Sequence, residues 1–542
     1  MKTSASPFLT LFALATSLLL TGCGGGSGNA HTGSVAALQV VSSNPSDGQT
    51  RVDTGTAITV GFSATLDPAT INVSSFRLDG PSGPIVGTVS LDPAGTTATF
   101  TPDSALPNQG HFIVTLTTAI RSTTGQSLSA DHLIRFSTAP WTRQEGTAGD
   151  EAGRAVAADA QGNLYVAGYT TGALNGQRQF GGRDMFVIKH DPSGQVLWTR
   201  QFGTAADDEA AALAIDAAGN LIVAGTTGGT FPGQTSAGGT DGVILRLDAD
   251  GALLDTLQFG TGGDDTAEAL AIAGNGNLIV TGKTTAAFIG NNSGGTDAYI
   301  QAFDTQGNVL WTDQLGSSAQ DSGNALAIDG TGNVYLAGTT GGSLDGDTIT
   351  LSFNDIFLAA YEPNGTRSWL RQLRTLPPDT TASLSNESAR ALAIDGGGNL
   401  YIAGDRLSFS ATSGLDMLLV KCDSLGNPVW AKTFGTADDD RLNGLFLDAQ
   451  GNLFAAGQSV GAYAGTSAGL DDIVVEKRNA TGNLLWRRQM GSPAADLANG
   501  LTLTANGDLV VTGLTGASLD GNPALGGDDL FLLRYAPDGS LY

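Results

Sequence analysis

From Trp141 to Tyr542 the chain writes one unit seven times, and no other feature limits its fold so strongly. The units start at Trp141, Trp198, Asp255, Trp311, Trp369, Trp430 and Trp486, at spacings of 57, 57, 56, 58, 61 and 56 residues. All six tryptophans fall in this one register. The last unit runs 57 residues to Tyr542, so the array reads as complete. The second unit shows the content: the run VLWTRQF, then Ala212 to Ile215, Asn220 to Gly225 and Gly242 to Leu245, each strand-like and bounded by turn residues. Four strands joined by short turns make one antiparallel sheet. Such a sheet is apolar on both faces and cannot hide them alone, so successive sheets must stack radially about a channel.

The phase of the repeat adds a mechanical expectation. If the Ala212 to Ile215 run is innermost, each tryptophan run is outermost, and the run at Trp141 precedes the first inner strand. It then completes the seventh sheet and latches the ring beside Gly539 to Tyr542. Gly162, Gly219, Gly276, Gly332, Gly398, Gly451 and Gly507 each precede Asn or Asp, as tight hairpins with positive φ require. No P-loop lysine accompanies them, which excludes a phosphate loop. The expected fold class is all-β: a seven-bladed β-propeller of four-stranded antiparallel blades over residues 141–542, preceded by a smaller β domain.

Three phrases recur: W-x-x-x-x-G, then D-x-x-G-N-[LV]-[YI]-[VL]-[AT]-G, then D-x-[FIL]-[VL]. Together they resemble the SBBP class of bacterial β-propeller repeats, over roughly 400 of the 542 residues. Asp191-Pro192-Ser193-Gly194 followed by Trp198 is also similar to the docking motifs of quinoprotein dehydrogenases. That family's rings resemble eight blades with a dedicated cofactor pocket. This chain shows seven units and no vicinal cysteine pair, so the phrase reads as blade packing.

Residues 38–139 alternate apolar and polar in short runs (LQVVSS, AITVGFS, TATFTP, HFIVTLT, LIRFST), which predicts a β-sandwich. Asn44-Pro45-Ser46-Asp47-Gly48, Leu66-Asp67-Pro68, Phe100-Thr101-Pro102 and Phe136-Ser137-Thr138 resemble bacterial Ig-like domains, which implies a spacer. Ahead of it, Lys2 and the apolar stretch Phe8 to Leu20 read as an export signal, too short to span a membrane once mature. Leu20-Thr21-Gly22-Cys23 looks like the lipobox of bacterial lipoproteins. The resemblance implies a signal peptide over 1–22, lipidation at Cys23 and a flexible tether over 23–37. Gly24 stands where that family's inner-membrane retention signal shows Asp, so the implied home is the outer membrane, periplasmic or surface-facing, as an acyl-anchored monomer.

Acidic residues outnumber basic ones 52 to 26, and the formal charge of -26 argues against nucleic acid as a partner. Two acidic positions recur on one face of the expected ring. Asp184, Asp241, Asp297, Asp355, Asp416, Asp472 and Asp529 precede the third strand, and Glu151, Asp208, Asp265, Asp321, Asp440 and Asp496 precede the inner strand. Of these, Asp184, Asp208, Asp241, Asp265, Asp297, Asp321, Asp440 and Asp472 are the candidate calcium ligands, since calcium takes several oxygens at once. The competing reading is that each Asp accepts backbone N–H bonds and shapes its own turn. Because functional sites normally break the symmetry of a repeat, the longer connection from Leu373 to Glu387 in the fifth unit is singled out.

His190 and Cys422 share one repeat slot with Leu247, Phe303, Tyr361, Arg478 and Tyr535, so they carry no zinc spacing, and no Ser-His-Asp set has its parts. The expected function is a noncatalytic envelope scaffold presenting its propeller to a protein or glycan. The alternatives are a polysaccharide-acting enzyme using carboxylates and a calcium-stabilised adhesive protein.

Overall fold

Strands whose apolar residues fall at every second position bury one face each, and two such sheets can close on each other. The computed structural model describes residues 37–542 apart from 53, 81–82, 108–109, 139–140, 345–352, 374–375, 377–384 and 409–413. It contains one compact unit within residues 37–137 and a second that runs from Thr138 to Tyr542.

In the first unit one sheet runs Val40–Asn44, Ile58–Phe62, Thr97–Pro102, Gly87–Leu91 in spatial order. The other runs Gln49–Val52, His132–Thr138, His111–Leu116, Phe76–Gly80, Gly83–Pro84. Ile58, Val60, Phe76, Phe100, Phe112 and Ile134 from the two sheets share a single core. The unit is the β-sandwich that the alternation predicts.

Seven four-stranded antiparallel sheets make up the second unit. In the first, Glu151–Ala158, Leu164–Thr170, Asp184–His190 and Val196–Phe202 lie side by side in chain order. The next five sheets repeat this order from Asp208, Asp265, Asp321, Ser385 and Asp440. Their first strands neighbour one another in succession, and that of the seventh sheet, Asp496–Leu503, lies beside Glu151–Ala158, so the row closes into a ring. The second strands are covered by sheets on both sides. That is why Leu164–Thr170 and Leu509–Thr515 are buried along their whole length and read as nearly unbroken apolar runs.

The seventh sheet takes its fourth strand from the start of the unit. Arg143–Glu145 pairs antiparallel with Asp529–Tyr535, Arg143 opposite Leu532 and Glu145 opposite Leu530. Next to it, the Trp141 N–H donates to the Tyr542 carbonyl at 2.7 Å. Trp141 is buried, and its indole N–H donates to the Pro192 carbonyl in a turn of the neighbouring sheet. Trp198, Trp311 and Trp486 do the same toward Ala249, Pro363 and Pro537. The D-x-x-G-x-x-x-W phrase is therefore packing between sheets.

Candidate functional site

Each inner strand carries one residue more than its partner can match. The pairing of first with second strand slips in all seven sheets at the same place, leaving Arg154, Ala211, Glu268, Asn324, Arg390, Asn443 and Asn499 as the extra residues. A bulge of this kind bends the strand and re-aims the side chain that it adds. The local cause is visible in the partner strand. A Cβ on Gly168, Gly225 or Gly282 would run into the carbonyl oxygen of Ala152, Glu209 or Thr266, so glycine is what lets the two backbones close together there.

All seven bulge residues line one cavity of about 720 Å³, together with Asp207, Glu209, Lys283 and a set of Ser, Thr and Ala residues. Among the described residues no aromatic ring lines it. The backbone position is repeated sevenfold and the side chains are not. Going round from the fifth sheet to the first, the bulge residues are Arg390, Asn443, Asn499 and Arg154, a wall of guanidinium and amide groups. The second and third sheets bring Asp207, Glu209 and Glu268.

Hydrogen bonds hold these groups in place. The Nδ2 atoms of Asn324, Asn443 and Asn499 donate to the carbonyls of Ala389, Ala498 and Gly153 on the next inner strand, at 2.7, 2.8 and 3.0 Å. Each asparagine thus clips two sheets, and its Oδ1 accepts nothing from the described residues. Arg390 Nε donates to Asp405 Oδ2 at 2.5 Å, which fixes the guanidinium while leaving its outer nitrogens to the cavity. Glu209 is paired with Arg183, and Glu268 accepts from Thr266 Oγ1 at 2.9 Å with Lys283 Nζ at 4.0 Å. Arg154 shares its carboxylate with a second arginine. Its Nη2 lies 3.9 Å from Glu209, a carboxylate that Arg183 already engages, and its guanidinium sits 5.4 Å from the Tyr169 ring.

The recurring aspartates lie elsewhere. The eight candidate calcium ligands are buried beneath the rim rather than presented on it, with Asp184, Asp208, Asp241, Asp265, Asp440 and Asp472 at 0% exposure and Asp297 and Asp321 at 1%, while Asp355 and Asp416 are half-buried. Asp184 Oδ2 accepts from the Phe180 N–H and from Gln201 Nε2, and Asp241, Asp297 and Asp472 repeat this with Gln258, Gln314 and Gln489. Asp208, Asp265, Asp321 and Asp440 accept from the backbone N–H four residues earlier, at Thr204, Thr261, Ser317 and Thr436. Turn-making is thus their visible work. The two sets meet in pairs between sheets: a Cβ on Gly203 would strike both Asp184 and Asp208. Burial pushes the carboxyls of Asp208, Asp321 and Asp496 above the ordinary range, and the neighbouring Asp184, Asp297 and Asp472 push the same way. The Oδ1 atoms of Asp184, Asp241, Asp297 and Asp472 are buried with no hydrogen-bond partner among the described residues. Among those residues, no three His, Cys, Asp or Glu side chains converge as a metal site would need.

His190 is buried with Nε2 2.6 Å from Glu145 Oε1, and burial pushes the Cys422 thiol up to about 12, so this slot is interior packing. Cys23 and the residues read as an export signal and a tether, all but residue 37, lie outside the described residues, as does most of the Leu373 to Glu387 connection. The bulge ring was not among the expected site residues. Its trace in the sequence is the residue three positions after the acidic start of the inner strand in six sheets, and after Glu387 in the fifth, which changes from Arg to Ala to Glu to Asn while its surroundings repeat.

Comparison with known proteins agrees with this architecture. A family model for a bacterial Ig-like domain matches residues 34–138, and one for a β-propeller repeat matches residues 141–174 and 310–345. The chain is 24% identical over 408 residues to regulatory protein FlaEY of Caulobacter vibrioides, covering 69% of this chain and 38% of that one. It is 20% identical over 432 residues to an uncharacterized WD repeat-containing protein of Acanthamoeba polyphaga mimivirus, covering 61% and 31%. The chain therefore spans well under half the length of either relative. Similar solved structures include Sqt1 from Chaetomium thermophilum (TM-score 0.40, 12% identity, 74% of this chain and 86% of that one). They also include the polysaccharide lyase Uly1 (TM-score 0.42, 11% identity, 70% and 89%). Likeness at this level says nothing of activity. The chain thus carries a match to a bacterial Ig-like domain over residues 34–138 and matches to an SBBP-type β-propeller repeat over residues 141–174 and 310–345.

Proposed function

We propose that this chain is a noncatalytic envelope lipoprotein whose propeller holds a polar ligand, a glycan or a protein segment, in the mouth of its channel. The observation that supports this reading is the ring of seven bulge residues. One backbone position, repeated sevenfold by the scaffold, carries seven individually chosen side chains into a single cavity. Free guanidinium nitrogens and amide oxygens there suit a partner rich in hydroxyl or carboxylate groups. A polysaccharide-acting enzyme would need two carboxylates free to move protons. In this cavity Glu209 and Glu268 each face a cation and Asp207 accepts the Arg183 backbone N–H, which leaves no pair of uncommitted carboxylates there and favours binding over turnover.

Arrays of immobilised envelope polysaccharides and peptides, probed with the full chain and with an Arg154→Ala/Arg390→Ala variant, test this reading. Specific retention should fall at least tenfold in the variant while its melting temperature stays close to that of the parent. Undiminished retention, or progressive cleavage of a retained glycan, would sink the proposal.

A further inference from the structure

A second cavity, on the tight-turn side of the ring, exists because one sheet lacks side chains that most of the others have. In the turn between first and second strands, Asp159, Asp216, Asp329, Asp395 and Asp448 each accept the backbone N–H and the side-chain amide of an asparagine four residues on. The third sheet has Ala273 at that position, and the Nδ2 of its Asn277 has no partner among the described residues. On the third strand, Lys189, Lys421 and Lys477 lie over Tyr165, Tyr401 and Phe454 at 5.0, 4.8 and 4.6 Å. In the third sheet the corresponding residues are Ala302 and Ile279, so both the cation and the ring are missing. The fourth sheet also has an alanine, Ala360, in the cation's place, but there Tyr335 remains and its hydroxyl bonds Asp329 at 3.2 Å.

The space left by these truncations is a cavity of about 390 Å³, within the range of small-molecule sites. Ile279, Ala302, Val334 and Pro363 give it an apolar floor, and Trp311 forms a wall. That wall is fixed: the indole N–H donates to the Pro363 carbonyl at 3.3 Å, and the ring stacks on Tyr361 at 5.7 Å and 17°. Asn275 and Asn277 stand at the polar edge. The single charged residue of the lining, Asp329, is an anion whose oxygens already accept from Thr331, from Asn333 and from Tyr335, so it repels an anionic ligand and has little left to bond a neutral one. A ligand that fits has an apolar face, hydroxyl groups for an amide and no negative charge.

We infer that this cavity binds a neutral pyranose ring, its apolar face on Trp311 and the aliphatic floor and its hydroxyls at Asn277. The site is separate from the channel mouth and stands or falls without it. Ligand-observed saturation-transfer NMR on the full chain, with the methyl pyranosides of glucose, galactose and mannose as probes and glucuronate as the charged control, tests it. At least one neutral pyranoside should give a signal, and its affinity should drop tenfold or more in Ala302→Lys. That variant installs the side chain that the first, fifth and sixth sheets already accommodate. Ala273→Asp, which restores the repeated turn, serves as a second blocking variant if the lysine disturbs folding. No signal from any neutral pyranoside, a signal unchanged in both variants, or equal binding of glucuronate would overturn the inference.

Discussion

The acidic starts of the inner strands and the bulge residues three positions later belong to the same strands, yet one set is spent on the scaffold and the other faces a cavity. Asp208 is buried and caps a turn, whereas Arg154, Glu268 and Asn443 line the channel mouth. Repetition marks what every sheet needs in order to stack on the next. Departure from repetition marks what the assembled ring needs only once. The cavity beside Ala273 obeys the same rule in reverse, since it opens where a repeated side chain is withheld.

The comparison can be broken most forcefully at its repeated positions. Trp141→Ala removes a fully buried ring from the sheet that closes the circle and should cost about 3–5 kcal/mol in urea unfolding. A change of less than 1 kcal/mol would mean, on the scale of typical core deletions, that the closure is dispensable. Next comes Gly225→Ala, whose Cβ meets the Glu209 carbonyl. It should cost about 1–3 kcal/mol, and a neutral result would detach the bulge from the glycine beneath it.

A smaller effect separates two kinds of repeated aspartate by their response to pH. Asp208, raised by burial, stabilises the fold when protonated; that contribution is complete below the ordinary Asp pKa and is lost as pH rises through its raised value. Asp329 is the opposite. Burial pushes it up, but hydrogen bonds from Thr331 and Asn333 outweigh this and hold it at about 2, so its contribution is present above the ordinary value and is lost as pH falls toward 2. Relative to the parent, Asp208→Asn should therefore gain in melting temperature between pH 3 and pH 7, and Asp329→Asn should lose over the same interval. Parallel pH profiles for the two variants would refute the distinction. The smallest expected effect is that of calcium. With the paired aspartates occupied in turns, EDTA and added calcium should leave the melting temperature unchanged, and a large upward shift would make ligands of the buried Oδ1 atoms.

Much of the fold was legible because its causes are periodic. The tryptophan register, the D-x-x-G turns and the early strand at Trp141 each appear in the structure where the spacing puts them. The channel site was hidden because a one-residue bulge leaves strand alternation nearly intact. The glycine of the second strand, read as part of an apolar run, gives no hint of the backbone closing over it. The recurring aspartates were placed on the correct end of the sheets, but their burial depends on stacking with the next sheet, which no single unit of sequence displays.

The strand Arg143–Glu145 finds its partner in Asp529–Tyr535, at the far end of the same unit. During synthesis, six sheets can assemble in the order in which they emerge, but the seventh must wait until Asp529–Tyr535 has left the ribosome. Until then an early strand stands with an open edge that another chain could occupy. The contact that closes the ring is thus also the one that times its completion, and it leaves the early strand exposed to misassembly until Asp529–Tyr535 is made.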